Sequence, residues 1–339
     1  MADRMGELSC FGLTLGTALL LGPLVLWGLR RWRLFDVPNE RSSHAALVAR
    51  GGGLAPALAV VCGAVLSTQL VGDARVGVLL GAVGMALIGL TDDVRGLQAL
   101  TRLLGQVVVA AGALVFLEQD IRGSLAWVAV FSVGALVWVV SYVNAFNFMD
   151  GINGISVAQV VVAGGAWWLI GRTQGVPTLE TGGLLVVAAG LGFAPFNVGR
   201  ARMFLGDVGS YLFGGWLGAM AVVGLRAHLR PEAVLGPLAL YGADTATTLL
   251  HRLRRHQVVM RAHREHAYQR LVQAGWSHGE TSLFCAAVMA ACSGLAALSL
   301  TGSLAARIAG DTGAVAVLVA YLGTPAVVVR RSAPAQGAS

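Results

Sequence analysis

Uninterrupted apolar runs of 15 to 20 residues recur along the chain from Phe11 to Val329. No water-soluble fold can hide so many of them, so each must lie in a lipid phase. There the backbone polar groups have to be satisfied within the segment, which leaves a bundle of membrane-spanning helices. Eleven segments are read, at 11–29, 52–71, 76–90, 103–117, 125–143, 156–171, 182–195, 208–225, 233–250, 281–302 and 313–329, with ten as the lower count. Composition agrees, since 12% of residues are charged against about 25% in an ordinary soluble domain. The 46 glycines follow no G-X-Y period, which excludes collagen. The expected fold is therefore all-α and polytopic. Residues 1–331 form a single integral membrane domain and 332–339 a small, polar, disordered tail. Asp3, Arg4 and Glu7 precede the first run, and Gly28-Leu29-Arg30-Arg31 ends it without a small-residue cleavage site, so it is expected to be a retained span.

The net charge of +7 comes entirely from arginine, because the chain has no lysine. That removes Schiff-base and P-loop lysine chemistry. Sorting the connections alternately puts seventeen of the 24 arginines in one set: 30–51, 91–102, 144–155, 196–207, 251–280 and the C-terminal tail. The positive-inside rule makes that set cytoplasmic, with the N-terminus outside and the C-terminus inside. Arginines between apolar spans mark topology and contact phosphate, so no nucleic-acid partner is expected. Cys10, Cys62, Cys285 and Cys292 have no CxxC spacing and read as packing residues.

The same sorting places Asp36, Asp92, Asp93, Asp150, Asp207, His263 and His266 on the cytoplasmic side, in five separate loops. Those loops are read as one polar site. Gly89-Leu-Thr-Asp92-Asp93 presents adjacent carboxylates, which repel and so favour a shared divalent cation or a raised pKa. Asn144-Ala-Phe-Asn147-Phe-Met-Asp150-Gly-Ile-Asn153-Gly supplies amides, a carboxylate and tight turns suited to a base, ribose or sugar. In Phe204-Leu-Gly-Asp207, the acid suits a magnesium ion that also holds phosphate oxygens, and the phenylalanine suits stacking on a base.

Arg261-Ala-His263-Arg-Glu-His266 sets two histidines at i, i+3, on one helix face and fitted to anionic phosphate; zinc lacks further ligands there. Arg41, His44 and Arg50, the last leading into Gly51-Gly52-Gly53 at a helix N-terminus, are further phosphate contacts. Asp244, inside the ninth run, is read as a buried partner for an arginine such as Arg252.

In this order the motifs resemble the polyprenyl-phosphate N-acetylhexosamine-1-phosphate transferase family, from about Asp36 to Gln269. That family contains the peptidoglycan translocase-I enzymes and the initiators of O-antigen and enterobacterial common antigen. The resemblance implies transfer of a sugar-1-phosphate from a UDP-N-acetylhexosamine to undecaprenyl phosphate, with release of UMP. It also implies a magnesium cofactor, with manganese as the alternative ion, and a homodimer in the bacterial inner membrane with its site on the cytoplasmic face.

Residue by residue, the family's acidic pair matches Asp92 and Asp93, its Asn-x-x-Asn-x-x-Asp-Gly motif matches Asn144, Asn147 and Asp150, and its metal aspartate matches Asp207. Phe204 matches the base-stacking phenylalanine, and His263 and His266 the histidine motif. The arginine and glutamate between the histidines resemble the O-antigen-initiating branch rather than the peptidoglycan branch with its consecutive histidines.

Independently of family, a soluble nucleotide sugar and a lipid-anchored phosphate can meet only at the membrane surface. The expected reaction is in-line attack by the lipid phosphate on the β-phosphorus, with Asp207 and one member of the acidic pair on magnesium and the other member as base. The alternatives are a phospho-MurNAc-pentapeptide translocase-type enzyme and a secondary transporter, whose sites lie near the bilayer midplane.

Overall fold

The computed structural model describes residues 2–36, 47–118, 124–257 and 263–332. Arg41, His44, Arg261 and the tail from 333 lie outside the described residues. The helices are α1 Ala2–Arg31, α2 Leu54–Leu66, α3 Gly72–Arg95, α4 Ala99–Leu117, α5 Leu125–Met149, α6 Ile155–Gln174 and α7 Pro177–Asn197. They continue with α8 Gly206–Arg226, α9 Pro231–Leu235, α10 Ala239–Arg254, α11 Ala267–Gln273, α12 His278–Ala297 and α13 Leu304–Ser332. Nine of these, α1, α3 to α8, α12 and α13, are long and apolar enough to cross a membrane. The all-α, polytopic reading holds to that extent.

Two of the eleven expected runs take another form. The run at 52–71 gives only the 13 residues of α2, about 20 Å of helix. Ser67 ends it, its hydroxyl accepting the N–H groups of Gln69 and Leu70. The flanks extend the path, because Leu29, Thr14 and Gly6 of α1 pack beside Gly51, Gly63 and Thr68 in turn. Segment 51–68 therefore runs antiparallel to α1 along most of its length. The run at 233–250 is not one helix but α9, a 3₁₀ turn over Gly236–Leu238, and α10. Pro237 supplies no N–H to an α-helical ladder, and the carbonyl of the same residue is taken by the Gln159 amide. Apolar composition marks burial, and it does not see a break of this kind.

At the centre is α8, whose residues Val208 to Gly224 are all buried, while α1 and α13 lie at the rim. Small residues allow the central helices to touch backbone to backbone, as membrane bundles require when there is no hydrophobic drive between helices. A Cβ at Gly89 of α3 would lie 2.1 Å from the Asp207 carbonyl of α8. The composition did not announce a sheet, yet three short strands form one: β1 Phe35–Asp36, β2 Val48–Arg50 and β3 Met203–Phe204. β2 pairs antiparallel with β1 and parallel with β3, with Arg50 opposite Phe204.

Candidate active site

Successive residues on a helix point about 100° apart, and the acidic pair at the end of α3 splits accordingly. Asp93 turns to α8, where its two carboxylate oxygens accept the backbone N–H groups of Asp207 and Val208 at 3.1 and 3.0 Å. This capping of the first turn of α8 places one acid beside another. Asp92 turns to α4 and accepts the Leu97 N–H and the Arg102 guanidinium, both at 2.7 Å.

Arg50, at the end of β2, joins the first pair. Its Nε lies 2.8 Å from Asp93 and its Nη2 2.9 Å from Asp207. The mini-sheet makes this reach possible: Gly52 and Gly53 donate their N–H groups to the carbonyls of Phe204 and Leu205, both at 2.8 Å. The chain that carries Arg50 is thereby fixed to the chain that leads into Asp207. Gly206, between them, has φ +73°, and a Cβ there would press on the Asp93 carboxylate. Only glycine turns the chain this sharply without strain. Phe204 is half-buried on the strand beside Arg50.

The amide loop is drawn into the same cluster in part. Asn147 donates to Asp207 Oδ1 at 2.8 Å and to the Ser210 hydroxyl at 2.9 Å. Asn144 donates to Gln106 and to the Val140 carbonyl. Asp150 takes the Ser156 hydroxyl. Burial, with the charge of Asp207 adding to it against the Ser156 bond and Arg50, pushes its carboxyl up to about 7. Asn153 serves the loop instead, donating to the Gly199 carbonyl. Asn197, on the same side, accepts the Gly154 N–H and donates to the Met203 carbonyl, tying this loop to β3.

The histidine segment closes the site from α10 and α11. His263 and His266 have ring centroids 5.1 Å apart. Burial first, then the neighbouring His266 and Arg252, pushes the His263 imidazole down to about 4, so it is neutral at physiological pH. Asp244 does not pair with Arg252, contrary to the expectation from sequence. Eight residues along one helix separate the two by about 12 Å, and Arg252 pairs with Glu265 instead. Asp244 is fully buried against His266 Nδ1, 3.1 Å away.

A cavity of about 660 Å³ lies beside the acidic cluster, with Asn147 as the shared residue. Its polar lining is Arg102, Asn144, Asn147, Tyr211, His263 and His266, and its apolar lining includes Leu103, Trp138, Ala246 and Leu249. The cavity lies between α4, α5 and α10.

Of the residues expected from sequence, Asp93, Asn147, Asp207, Arg50 and Phe204 form one cluster, with Asp150 close enough for its charge to be felt there. Asn144, His263 and His266 share the cavity, while Asp92 faces Arg102 and Asn153 faces away. Sequence reasoning did not mark Arg102, Tyr211, Asn197 or Tyr321. Arg102 was legible only as one of the arginines of the 91–102 connection, and the structure places it in the first turn of α4. Among the described residues no three His, Cys, Asp or Glu side chains form a ready-made metal cage. Magnesium needs no such cage, since it takes one or two carboxylates and fills its remaining positions with water and phosphate oxygens. The Asp93 and Asp207 carboxylates, close enough to share one guanidinium, fit that requirement.

The sequence profile described as "Glycosyl transferase family 4" matches residues 75–225, which includes the acidic pair, the amide loop and Asp207. Over 317 residues the chain is 31% identical to the "Decaprenyl-phosphate N-acetylglucosaminephosphotransferase" of Mycobacterium tuberculosis, covering 80% of this chain and 77% of that protein. The chain belongs to glycosyl transferase family 4. It is likewise 26% identical to a Bacillus subtilis protein named "Probable undecaprenyl-phosphate N-acetylglucosaminyl 1-phosphate transferase", over 79% of this chain and 78% of the relative. A "Phospho-N-acetylmuramoyl-pentapeptide-transferase" of Desulfotalea psychrophila is 28% identical over 60% of the chain and 68% of that protein. Within this family the chain is a multi-pass membrane phospho-sugar transferase. The transporter alternative falls with that membership, and the ionisable cluster at the helix ends, away from mid-span, accords with its loss.

Proposed function

We propose that this enzyme transfers N-acetylhexosamine-1-phosphate from a UDP-sugar to undecaprenyl phosphate, releases UMP, and so initiates O-antigen or another cell-surface polysaccharide. The observation that carries the reading is a largely apolar cavity between α4, α5 and α10 that also holds Arg102, His263 and His266, and that borders the Asp93–Arg50–Asp207 cluster through Asn147, which lines it and donates to Asp207. A charged head and a greasy tail are both accommodated by such a space. Three relatives carry N-acetylglucosamine in their names, which favours UDP-N-acetylglucosamine among the UDP-N-acetylhexosamines.

In this reading an oxygen of the lipid phosphate attacks the β-phosphorus of the donor, the bond from that phosphorus to the bridging oxygen breaks, and UMP departs. Catalysis is mainly alignment and charge neutralisation, because phosphoryl transfer asks little covalent chemistry of the protein. Arg50 supplies cationic donors beside the diphosphate, and Phe204, one strand away, stacks on the uracil. Arg102, His263 and His266 face the acceptor's phosphate. Asp207 and Asp93 would hold a magnesium ion, which supplies neutralisation of the diphosphate charge when bound. Asp92, paired with Arg102, is assigned to holding that arginine rather than to the metal. A homodimer is part of the proposal through family resemblance alone.

The passes are proposed to number eleven, with α2 and its flanks as one and α9 to α10 as another. This puts the N-terminus outside and the site and C-terminus at the cytoplasmic face of the bacterial inner membrane. The helix ends that carry the site alternate with that count, and the arginine bias supports the direction.

The similarity to a phospho-MurNAc-pentapeptide transferase keeps that activity as the second reading. The Arg264-Glu265 pair between the histidines weighs against it. The deciding experiment gives purified enzyme a panel of UDP-N-acetylhexosamines and UDP-MurNAc-pentapeptide with undecaprenyl phosphate, and identifies the lipid product by mass. A lipid-diphosphate-N-acetylhexosamine with stoichiometric UMP is expected. A MurNAc-pentapeptide product selects the second reading, and no product from any donor rejects both. Incubation with labelled donor alone separates direct attack, which leaves the protein unlabelled, from a phospho-aspartate route.

A further inference from the structure

The fully buried carboxylate of Asp244 has contacts from three helices. Thr248, one turn on in α10, donates to Oδ1 at 3.2 Å, and the Ala267 N–H of α11 donates to both oxygens at 3.1 Å. Tyr321 of α13 donates its hydroxyl to Oδ2 at 2.7 Å. His266 Nδ1 lies 3.1 Å from Oδ1. These residues lie outside the segment that matches the family profile.

The ring of His266 faces a second demand. His266 is the N-cap of α11, in a capping-box arrangement with Gln269: the Gln269 side chain accepts the His266 N–H at 3.3 Å, and the ring is set toward the Gln269 N–H. At an N-cap the ring nitrogen nearer the backbone is Nδ1, so one atom is asked both to donate to Asp244 and to accept from Gln269. Magnitudes decide between them. A hydrogen bond to a charged group contributes about 1.5–3 kcal/mol and a neutral one about 0.5–1.5 kcal/mol. The Asp244 carboxyl oxygens already draw in an N–H and two hydroxyls, and this acceptor takes the proton on Nδ1.

We propose that Asp244 is a positioning residue for the reaction, fixing the His266 proton on Nδ1 so that Nε2 is left unprotonated on the cavity side. Nε2 can then take the residual proton of the acceptor phosphate: the phosphate O–H bond breaks, an N–H bond forms, and the resulting imidazolium is paired with Asp244. Near neutrality a phosphate monoester retains part of its second proton, pKa about 6, so this step clears the fraction of acceptor that is not yet a dianion. Tyr321 makes α13, at the rim of the bundle, part of the support of the site. The proposal rests on the transferase reading for the identity of the proton donor, while the tautomer does not depend on it.

The test uses the full chain with ¹⁵N-labelled histidine in lipid nanodiscs, the His266 signal assigned by its loss in His266→Gln. The wild type is expected to carry its proton on Nδ1. In Asp244→Asn, where the anion is gone, the capping bond wins and the proton moves to Nε2, with kcat falling ~10²–10⁴-fold, the range general acid–base catalysis supplies, and KM for the donor unchanged. In the His266→Gln background, Asp244→Asn is expected to cost less than about threefold more, because the two act as a unit. Tyr321→Phe keeps the Nδ1 proton and loses only a few-fold. A wild-type His266 protonated on Nε2 overturns the proposal whether or not Asp244→Asn folds, as does a full multiplication of the two single-mutant losses. Failure of the donor panel with an intact Nδ1 signature would instead overturn the transferase reading alone.

Discussion

Where α3 meets α8, a carbonyl of one helix sits against a glycine of the other, Asp93 caps the neighbouring helix through two backbone N–H groups, and Arg50 bridges two acids. Across the cavity, the His263–His266 segment is held through side chains, chiefly the single carboxylate of Asp244, and Gly242 of α10 has open space where a Cβ would be. The first region has no room to adjust, so its acids stay at fixed separation as diphosphate charge arrives. The second is tuned by one buried anion and borders a cavity that must admit a long lipid. Backbone contact gives rigidity and side-chain contact gives adjustability, and the site uses one on each side.

The largest effect tests the rigid side. Asp207→Asn is expected to lower turnover by about 10³-fold or more with an unchanged unfolding midpoint in detergent; near-normal turnover would remove Asp207 from the chemistry. Next, Gly89→Val should destabilise by about 1–3 kcal/mol through overpacking against the Asp207 carbonyl, lowering the unfolding temperature and activity together. Gly242→Ala, in the open region, should change stability by no more than about 1 kcal/mol. Equal sensitivity at the two glycines would break the contrast drawn between the regions.

The regions also differ in their response to pH. The Asp150 carboxyl, raised to about 7 by burial, binds a proton in the folded chain that the unfolded chain has already released, so its contribution to stability falls as pH rises from about 4 through 7. His263, lowered to about 4 by burial, resists a proton that the unfolded chain accepts below about 6.5, so its contribution falls as pH drops from there to about 4. Asp150→Asn should therefore remove the loss on the alkaline side in thermal melts, and His263→Gln the loss on the acid side. Ionisation of Asp150 also adds negative charge near Asp207. The magnesium concentration for half-maximal rate is expected to fall as pH passes 7 in the wild type and to stay flat in Asp150→Asn.

The smallest effect belongs to Arg102. Its pair with Asp92 is partly exposed, so Arg102→Gln should cost about 1 kcal/mol or less in stability while raising KM for the lipid acceptor. A rise in KM for the nucleotide sugar instead would move Arg102 to the donor side.

Much of this was legible in the sequence. Apolar length identified the long helices, and alternation of charged connections grouped Asp93, Asp150, Asp207 and His266 at one end of the bundle before any coordinates. It failed at α2 and at α9–α10, because hydropathy reports burial, whereas Ser67 and Pro237 act on local backbone hydrogen bonds.

Sequence by itself determined which residues occupy the site end of the bundle, since the membrane allows a spanning segment only two places to put its charges. Only the tertiary structure decided which carboxylate each charge meets. Asp92 and Asp93 are neighbours in the chain yet face α4 and α8, because a helix turns about 100° per residue. Arg50 reaches Asp207 across 157 residues through a register of two backbone strands. Asp244 pairs with His266 rather than Arg252 because distance along a helix axis, not nearness in the chain, governs which buried groups can touch.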